Sequence, residues 1–292
     1  QDENMSAPPA QSSASIGPDT SRRMPLLDLG PLFAGDKAGI RKLAEIMRET
    51  YQTLGFNSLV NHGIPTRLIE RMTEQSICFH TLSMDEKLRY KVDQNQRGYI
   101  PPRASLIKVS SYNRNTKFDT GGCLVLATEY DGDHPGAIAG RRFYAGNQWP
   151  EGLPGFRQTA LEYMAAMTDL GKRMLPLWAL ALELPEDFFL PYFETPYTYL
   201  RLSHYAPQPN PGENEFGHSP HADAGFQTFL PPAAEPGLQI MDAEGEWFWP
   251  EVEDGAMILN AGLFLERWTN GRFRVTPHRV IPPKENHRYS VA

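Results

Sequence analysis

The chain has 292 residues, 40% of them apolar and 22% charged, with a formal net charge of −7. These proportions exclude a disordered chain, and the absence of any run of about 18 apolar residues argues against a membrane-spanning helix. The acidic balance, with no long basic cluster, argues against a nucleic-acid partner and for a small molecule.

Residues 1–23 are rich in Ser, Ala, Pro and Gln and cannot bury enough surface to fold, so a disordered tail is expected there. No charged-then-apolar leader opens the chain, and Met5 follows Gln1 closely, which leaves the natural start open. Met24–Leu29 is a short apolar run closed by Gly30-Pro31, the pattern of a strand. Ile40, Leu43, Ile46, Met47 and Tyr51 then recur at helical spacing, with Gly55 placed to stop the helix. Phe56–Val60 is a second strand, ended by Asn61-His62-Gly63-Ile64-Pro65, where His62 is expected to order the turn. An amphipathic helix follows from Thr66 to about Thr81.

Residues 91–153 show no sustained period and predict loop with short irregular strands. Leu161, Met164, Met167, Leu170, Met174, Leu177 and Ala181 lie on one face of a long helix ended by Pro185. Its methionines are read as core filler. Short segments then repeat between turn residues: Tyr199–Tyr205, His221–Leu230, Leu238–Met241, Trp247–Pro250, Met257–Asn260, Arg274–Val280 and Arg288–Val291. This spacing predicts an antiparallel barrel or jelly roll. Cys78 and Cys123 match neither a disulfide framework nor a paired metal motif, and read as thiols of a reducing, cytoplasmic setting.

The chemistry concentrates in the final third. In a strand, residues two apart share a face, so His221 and Asp223 can reach one point in space. His278, on a later strand, can close a facial triangle. Two imidazoles and one carboxylate leave about three octahedral positions open, an arrangement associated with non-haem Fe(II) oxygenases. Arg288 and Ser290 repeat the two-residue spacing ten positions beyond His278. Guanidinium and hydroxyl together suit the distal carboxylate of a dicarboxylic acid. His218, three residues before His221, falls outside strand register with the pair and reads as a loop histidine at the site mouth. Asn260 and Trp268 could support the ligands or fill the core, and the core reading is favoured.

With these residues in view, the sequence resembles the isopenicillin N synthase-like branch of the Fe(II)/2-oxoglutarate-dependent dioxygenases from Pro25 to Ala292. The matching pieces are Leu54-Gly55-Phe56, Val60-Asn61-His62-Gly63-Ile64-Pro65, Arg97-Gly98-Tyr99, Asn147-Gln148-Trp149-Pro150, His221-Ala222-Asp223, Gly237-Leu238-Gln239, Trp268-Thr269-Asn270-Gly271, His278-Arg279-Val280 and Arg288-Tyr289-Ser290. The resemblance implies a mainly β fold with flanking helices around a double-stranded β-helix, or jelly-roll, core. It divides one globular unit into the tail 1–23, an N-terminal α/β region 24–118, loops and a supporting helix 119–196, and the core 197–292.

It further implies that His221, Asp223 and His278 bind Fe(II), that Arg288 and Ser290 hold 2-oxoglutarate, and that Tyr205 adds a hydrogen bond to it. The family often has Asn-Tyr-Tyr-Pro where this chain has Ser203-His204-Tyr205-Ala206. Members usually continue past the Arg-x-Ser strand with an aromatic strand and a C-terminal helix that can cover the substrate, whereas this sequence stops at Ala292. The implied reaction consumes O₂, releases succinate and CO₂, and most simply hydroxylates a small molecule; some members desaturate or cyclise instead. Two alternatives stand beside it: a 2-oxoglutarate-independent iron oxidase, and a non-catalytic small-molecule receptor. Tyr99, Phe118, Phe226 and Phe229 are expected to line a pocket suited to a medium-sized organic molecule such as a natural-product intermediate.

Overall fold

A computed structural model describes residues 20–107, 112, 113 and 115–292. The tail expected over 1–23 therefore lies, up to residue 19, outside the described residues. Ordered pairing starts at Ser21: β1 (Ser21–Arg23) runs parallel to Trp249–Glu251, three residues before the strand expected at Met24. Arg22 holds it there, pairing with Asp242 at 2.6 Å and lying 5.2 Å over the Phe248 ring.

β2 (Leu26–Asp28) and the short α1 (Gly30–Ala34) lead into α2 (Lys37–Thr53), which begins where the Asp36 side chain accepts the Ala38 N–H. Gly55 closes α2 at φ 75°, with its N–H on the Thr50 carbonyl. A Cβ there would stand 2.8 Å from the Arg274 carbonyl oxygen, so both the turn and the close approach require glycine. β3 (Phe56–Val60) and α3 (Thr66–Thr81) follow with the expected boundaries. Between them His62 accepts the Ile64 N–H at 3.1 Å, ordering the turn as expected.

α4 (Met84–Leu88) comes next, and the stretch 91–153, expected to be loop with short irregular strands, contains β4 (Gly98–Ile100), β5 (Gly122–Ala127) and the short α5 (Pro135–Ile138). α6 (Phe156–Ala181) is the spine, with Pro176 inside it. Trp178 is fully buried on its inner face, meets Tyr51 of α2 edge-on at 4.5 Å, and donates its indole N–H to Gln227 at 2.7 Å. Truncating a buried indole of this kind typically costs about 3–5 kcal/mol.

The last third supplies β6 (Tyr199–Tyr205), β7 (His218–His221), β8 (Gln227–Leu230), β9 (Leu238–Met241), β10 (Trp247–Glu251), β11 (Met257–Ala261), α7 (Leu263–Trp268), β12 (His278–Val280) and β13 (Arg288–Val291). Three sheets result, in the orders β1-β10-β9-β12-β7, β2-β3-β11-β8 and β13-β6-β5-β4. They are mainly antiparallel, but β1 and β2 join in parallel. α6 and α2 pack on the second sheet, and α3 and the first half of α6 on the third, which leaves the inner faces to the site.

The single strand expected over His221–Leu230 is two strands with an interruption. The chain leaves β7 after His221 because the Asp223 and Gly225 carbonyls accept the N–H groups of Leu263 and Phe264 at the start of α7. Likewise β12 begins only at His278; Arg274 and Thr276 are instead tied to the Tyr51 and Leu54 carbonyls at the end of α2.

Candidate metal centre

β7 and β12 are antiparallel neighbours with His221 directly opposite His278, and the two imidazole rings lie 4.3 Å apart. Asp223 sits past the end of β7, so it meets them by a turn of the chain and not by strand alternation as the sequence reading supposed. Its Oδ1 is 3.6 Å from Nε2 of His221 and 3.6 Å from Nε2 of His278. One donor atom from each of the three lies within 4.8 Å of the others.

The surroundings aim these atoms. Nδ1 of His221 is 2.8 Å from the Ser219 carbonyl and Nδ1 of His278 is 3.3 Å from that of Thr276. Each Nδ1 can only donate to a carbonyl, so each Nε2 keeps a lone pair directed at the centre. Asp223 Oδ2 accepts from Thr228 at 2.7 Å and from Asn260 at 2.9 Å, which reserves Oδ1. Phe56 packs edge-on against the His278 ring. Burial alone would raise the Asp223 carboxyl, but His278 and His221 beside it hold it well below the usual carboxylate range. A carboxylate kept charged, beside two imidazoles whose Nε2 atoms would take a cation in place of a proton, is the donor set a divalent first-row cation requires.

Further along the cavity wall, β13 pairs with β6 so that Arg288 faces Tyr205 and Ser290 faces Ser203. The Arg288 guanidinium lies 5.2 Å over the Tyr205 ring and donates from Nε to the Glu235 carbonyl at 3.1 Å. Its Nη1 is buried with no hydrogen-bond partner. Burial pushes the Arg288 pKa down. An orphaned, buried guanidinium nitrogen beside a buried serine hydroxyl is a fit for a carboxylate, because leaving that donor unmade costs about 1–3 kcal/mol.

Asn260 is buried, as the core reading has it, and also bonds the triad carboxylate, the other role weighed for it. Trp268, also expected in the core, is 51% exposed. His218 opens β7 and does not lie in a loop: its ring is 4.0 Å from that of His221, and its Nδ1 is 2.6 Å from Asp119 Oδ2. The aromatic pocket expectation changes most. Tyr99 is buried under α3 against Phe79, and Phe226 is buried among Trp178, Phe189 and Phe193, so neither meets the triad. Phe229 packs against the α6 side of its sheet, while Phe118 is exposed beside Asp119. Cys78 and Cys123 are both free thiols. Among the described residues no helix is long and apolar enough to cross a membrane.

Comparison with known proteins adds the chemistry. Residues 24–152 match the N-terminal family described as non-haem dioxygenase in morphine synthesis, and residues 196–292 match the 2OG-Fe(II) oxygenase superfamily. The 2-oxoglutarate-Fe(II) type oxidoreductase hxnY of Emericella nidulans is 33% identical over 91% of this chain and 77% of its own. The 2-oxoglutarate-dependent dioxygenase tropC of Talaromyces stipitatus is 34% identical over 86% of this chain and 78% of its own. Among solved structures, a full-length Neurospora crassa protein in complex with alpha-KG and thymine superposes with a TM-score of 0.76 at 25% identity, covering 92% of this chain and 84% of that one.

Proposed function

The chain belongs to the 2OG-Fe(II) oxygenase superfamily, and from that premise we propose that His221, Asp223 and His278 hold its iron while Arg288, Ser290 and Tyr205 hold the distal carboxylate of 2-oxoglutarate. The protein is a 2-oxoglutarate-dependent dioxygenase that oxidises a small organic molecule with O₂, releasing succinate and CO₂. Bound iron, with positions left open by a three-residue ligand set, supplies the oxidising chemistry.

The chain's own work is geometry. The Ser219 and Thr276 carbonyls fix both imidazole tautomers, and Thr228 with Asn260 fixes the carboxylate. Arg288 neutralises the far end of the keto acid, while the Tyr205 ring and Gly237 set where its fork can lie. Hydroxylation is the simplest outcome, and desaturation or ring closure would use the same groups.

The observation that supports this reading most is the convergence of Nε2, Nε2 and Oδ1 with every other polar atom of those three side chains already engaged. O₂ uptake and succinate release with Fe(II), measured with and without 2-oxoglutarate, test it. Uptake that requires the keto acid and yields about one succinate per O₂ is expected. Equal uptake without the keto acid would place the chain with the 2-oxoglutarate-independent oxidases.

A further inference from the structure

Tyr199, Arg201, Ser203 and Tyr205 alternate onto one face of β6, and two of them meet the co-substrate groups: Tyr205 is opposite Arg288 and Ser203 opposite Ser290. The charged member of the set is Arg201. At about 3.3 Å per residue, its backbone lies roughly 13 Å along the strand from the Arg288–Tyr205 pair. 2-Oxoglutarate gripped by Arg288 therefore leaves the Arg201 cation to something else.

The Arg201 guanidinium has no acid of its own. Among the described residues no carboxylate lies within 4.0 Å of it; Nη2 donates to Cys123 Sγ at 3.4 Å and Nη1 is 3.5 Å from Nε2 of His218. Both contacts are long and both acceptors are uncharged or weak, so a group built to bind a carboxylate through a rigid fork holds none.

What the surrounding residues do is aim it. Asp119 Oδ2 receives the His218 Nδ1 proton at 2.6 Å, and Asp119 Oδ1 is held by the backbone N–H and hydroxyl of Ser219. That fixes the His218 ring with Nε2 as an acceptor towards Arg201. The same ring lies 4.0 Å from that of His221, so the array of Asp119, His218 and Arg201 abuts the metal ligands. Arg201, His218, Ser203 and Tyr205 line one cleft.

We propose that Arg201, oriented by the His218–Asp119 pair, binds a carboxylate on the substrate, so that this dioxygenase acts on small organic acids. The inference rests on the assignment of Arg288 to 2-oxoglutarate. One arginine takes the co-substrate and the other the substrate.

The test uses full-length protein loaded with Co(II) and 2-oxoglutarate under anaerobic conditions. The probes are benzoate, phenylacetate, cinnamate and hexanoate, each titrated calorimetrically against its primary amide. Carboxylates should bind and their amides should bind at least about tenfold more weakly, the loss expected for a charge-assisted contact. Arg201→Met should weaken the carboxylates by a similar factor and leave the affinity for 2-oxoglutarate within twofold, which also shows that the variant is folded. Arg201→Lys should recover part of the loss, and Arg288→Gln should show the reverse pattern, weak for 2-oxoglutarate. Amides binding as well as acids, no acid binding to the wild type, or acid affinity unchanged in Arg201→Met would each overturn the proposal. So would Arg201→Met losing 2-oxoglutarate in step with Arg288→Gln. A wild type that fails to bind 2-oxoglutarate at all would instead overturn the assignment on which the proposal rests.

Discussion

Gly237→Ala adds a single methyl group at the point where the co-substrate reading is most exposed. A Cβ at Gly237 would stand 2.7 Å from both Cδ and Nε of Arg288 and 3.2 Å from the Ile281 carbonyl oxygen. The backbone cannot retreat easily, because the Gly237 carbonyl accepts the Ile281 N–H at 2.8 Å. The arginine stem must then move by about 1 Å to restore ordinary contact. That motion pulls Nε from the Glu235 carbonyl and shifts the unpaired Nη1 that the keto acid is expected to meet. Losing a charge-assisted hydrogen bond costs about 1.5–3 kcal/mol, or roughly 10- to 150-fold in affinity. Anaerobic calorimetry of 2-oxoglutarate binding to metal-loaded Gly237→Ala should show that loss with metal affinity unchanged. Binding within twofold of the wild type would refute the reasoning, as would an equal loss of metal.

Asn260→Ala leaves Asp223 Oδ2 with Thr228 alone, and metal affinity should fall roughly 10- to 100-fold, the usual effect of removing a group that orients a ligand; an unchanged metal titration would contradict it. Acid should destabilise the fold through His80, whose pKa burial drives down to about 3 despite its bond to the Leu202 carbonyl. The unfolded chain takes up this proton near the ordinary value of 6.5, so the contribution is complete above that pH. It is then lost by up to ~1.4 kcal/mol per pH unit as pH falls towards the folded value. Denaturant midpoints from pH 7 to 4 should fall less steeply in His80→Gln, and identical slopes would rule this origin out.

The convergence of His221, Asp223 and His278 was legible because those residue types suit one cation whatever the exact backbone. The argument from strand alternation was nonetheless wrong in detail: Asp223 reaches the centre from a turn whose carbonyls cap the start of α7. Six-residue α7 is too short to show a period, and β5 hides in a Gly-rich stretch because both its faces are buried and its residues do not alternate. α4 did leave a signal, the Ser83-x-x-Glu86 capping box seen in the structure.

Tyr99 and Phe226 were placed in the pocket because aromatic residues near a site suggest a lining. The helices α3 and α6 compete for the same apolar surface and take them into the core. The contacts made by Asn260 and Asp119 are not legible in the sequence for another reason. Their partners, Asp223 and His218, are 37 and 99 residues away along the chain, and no local pattern announces such a contact.

The account depends on three side chains gripping one ferrous ion. Anaerobic equilibrium dialysis against Fe(II), with iron counted per chain, tests that directly when the wild type is compared with His221→Ala, Asp223→Ala and His278→Ala. One iron per wild-type chain and far less than one in each folded variant is the predicted result. A folded variant that still retains one iron per chain would contradict it.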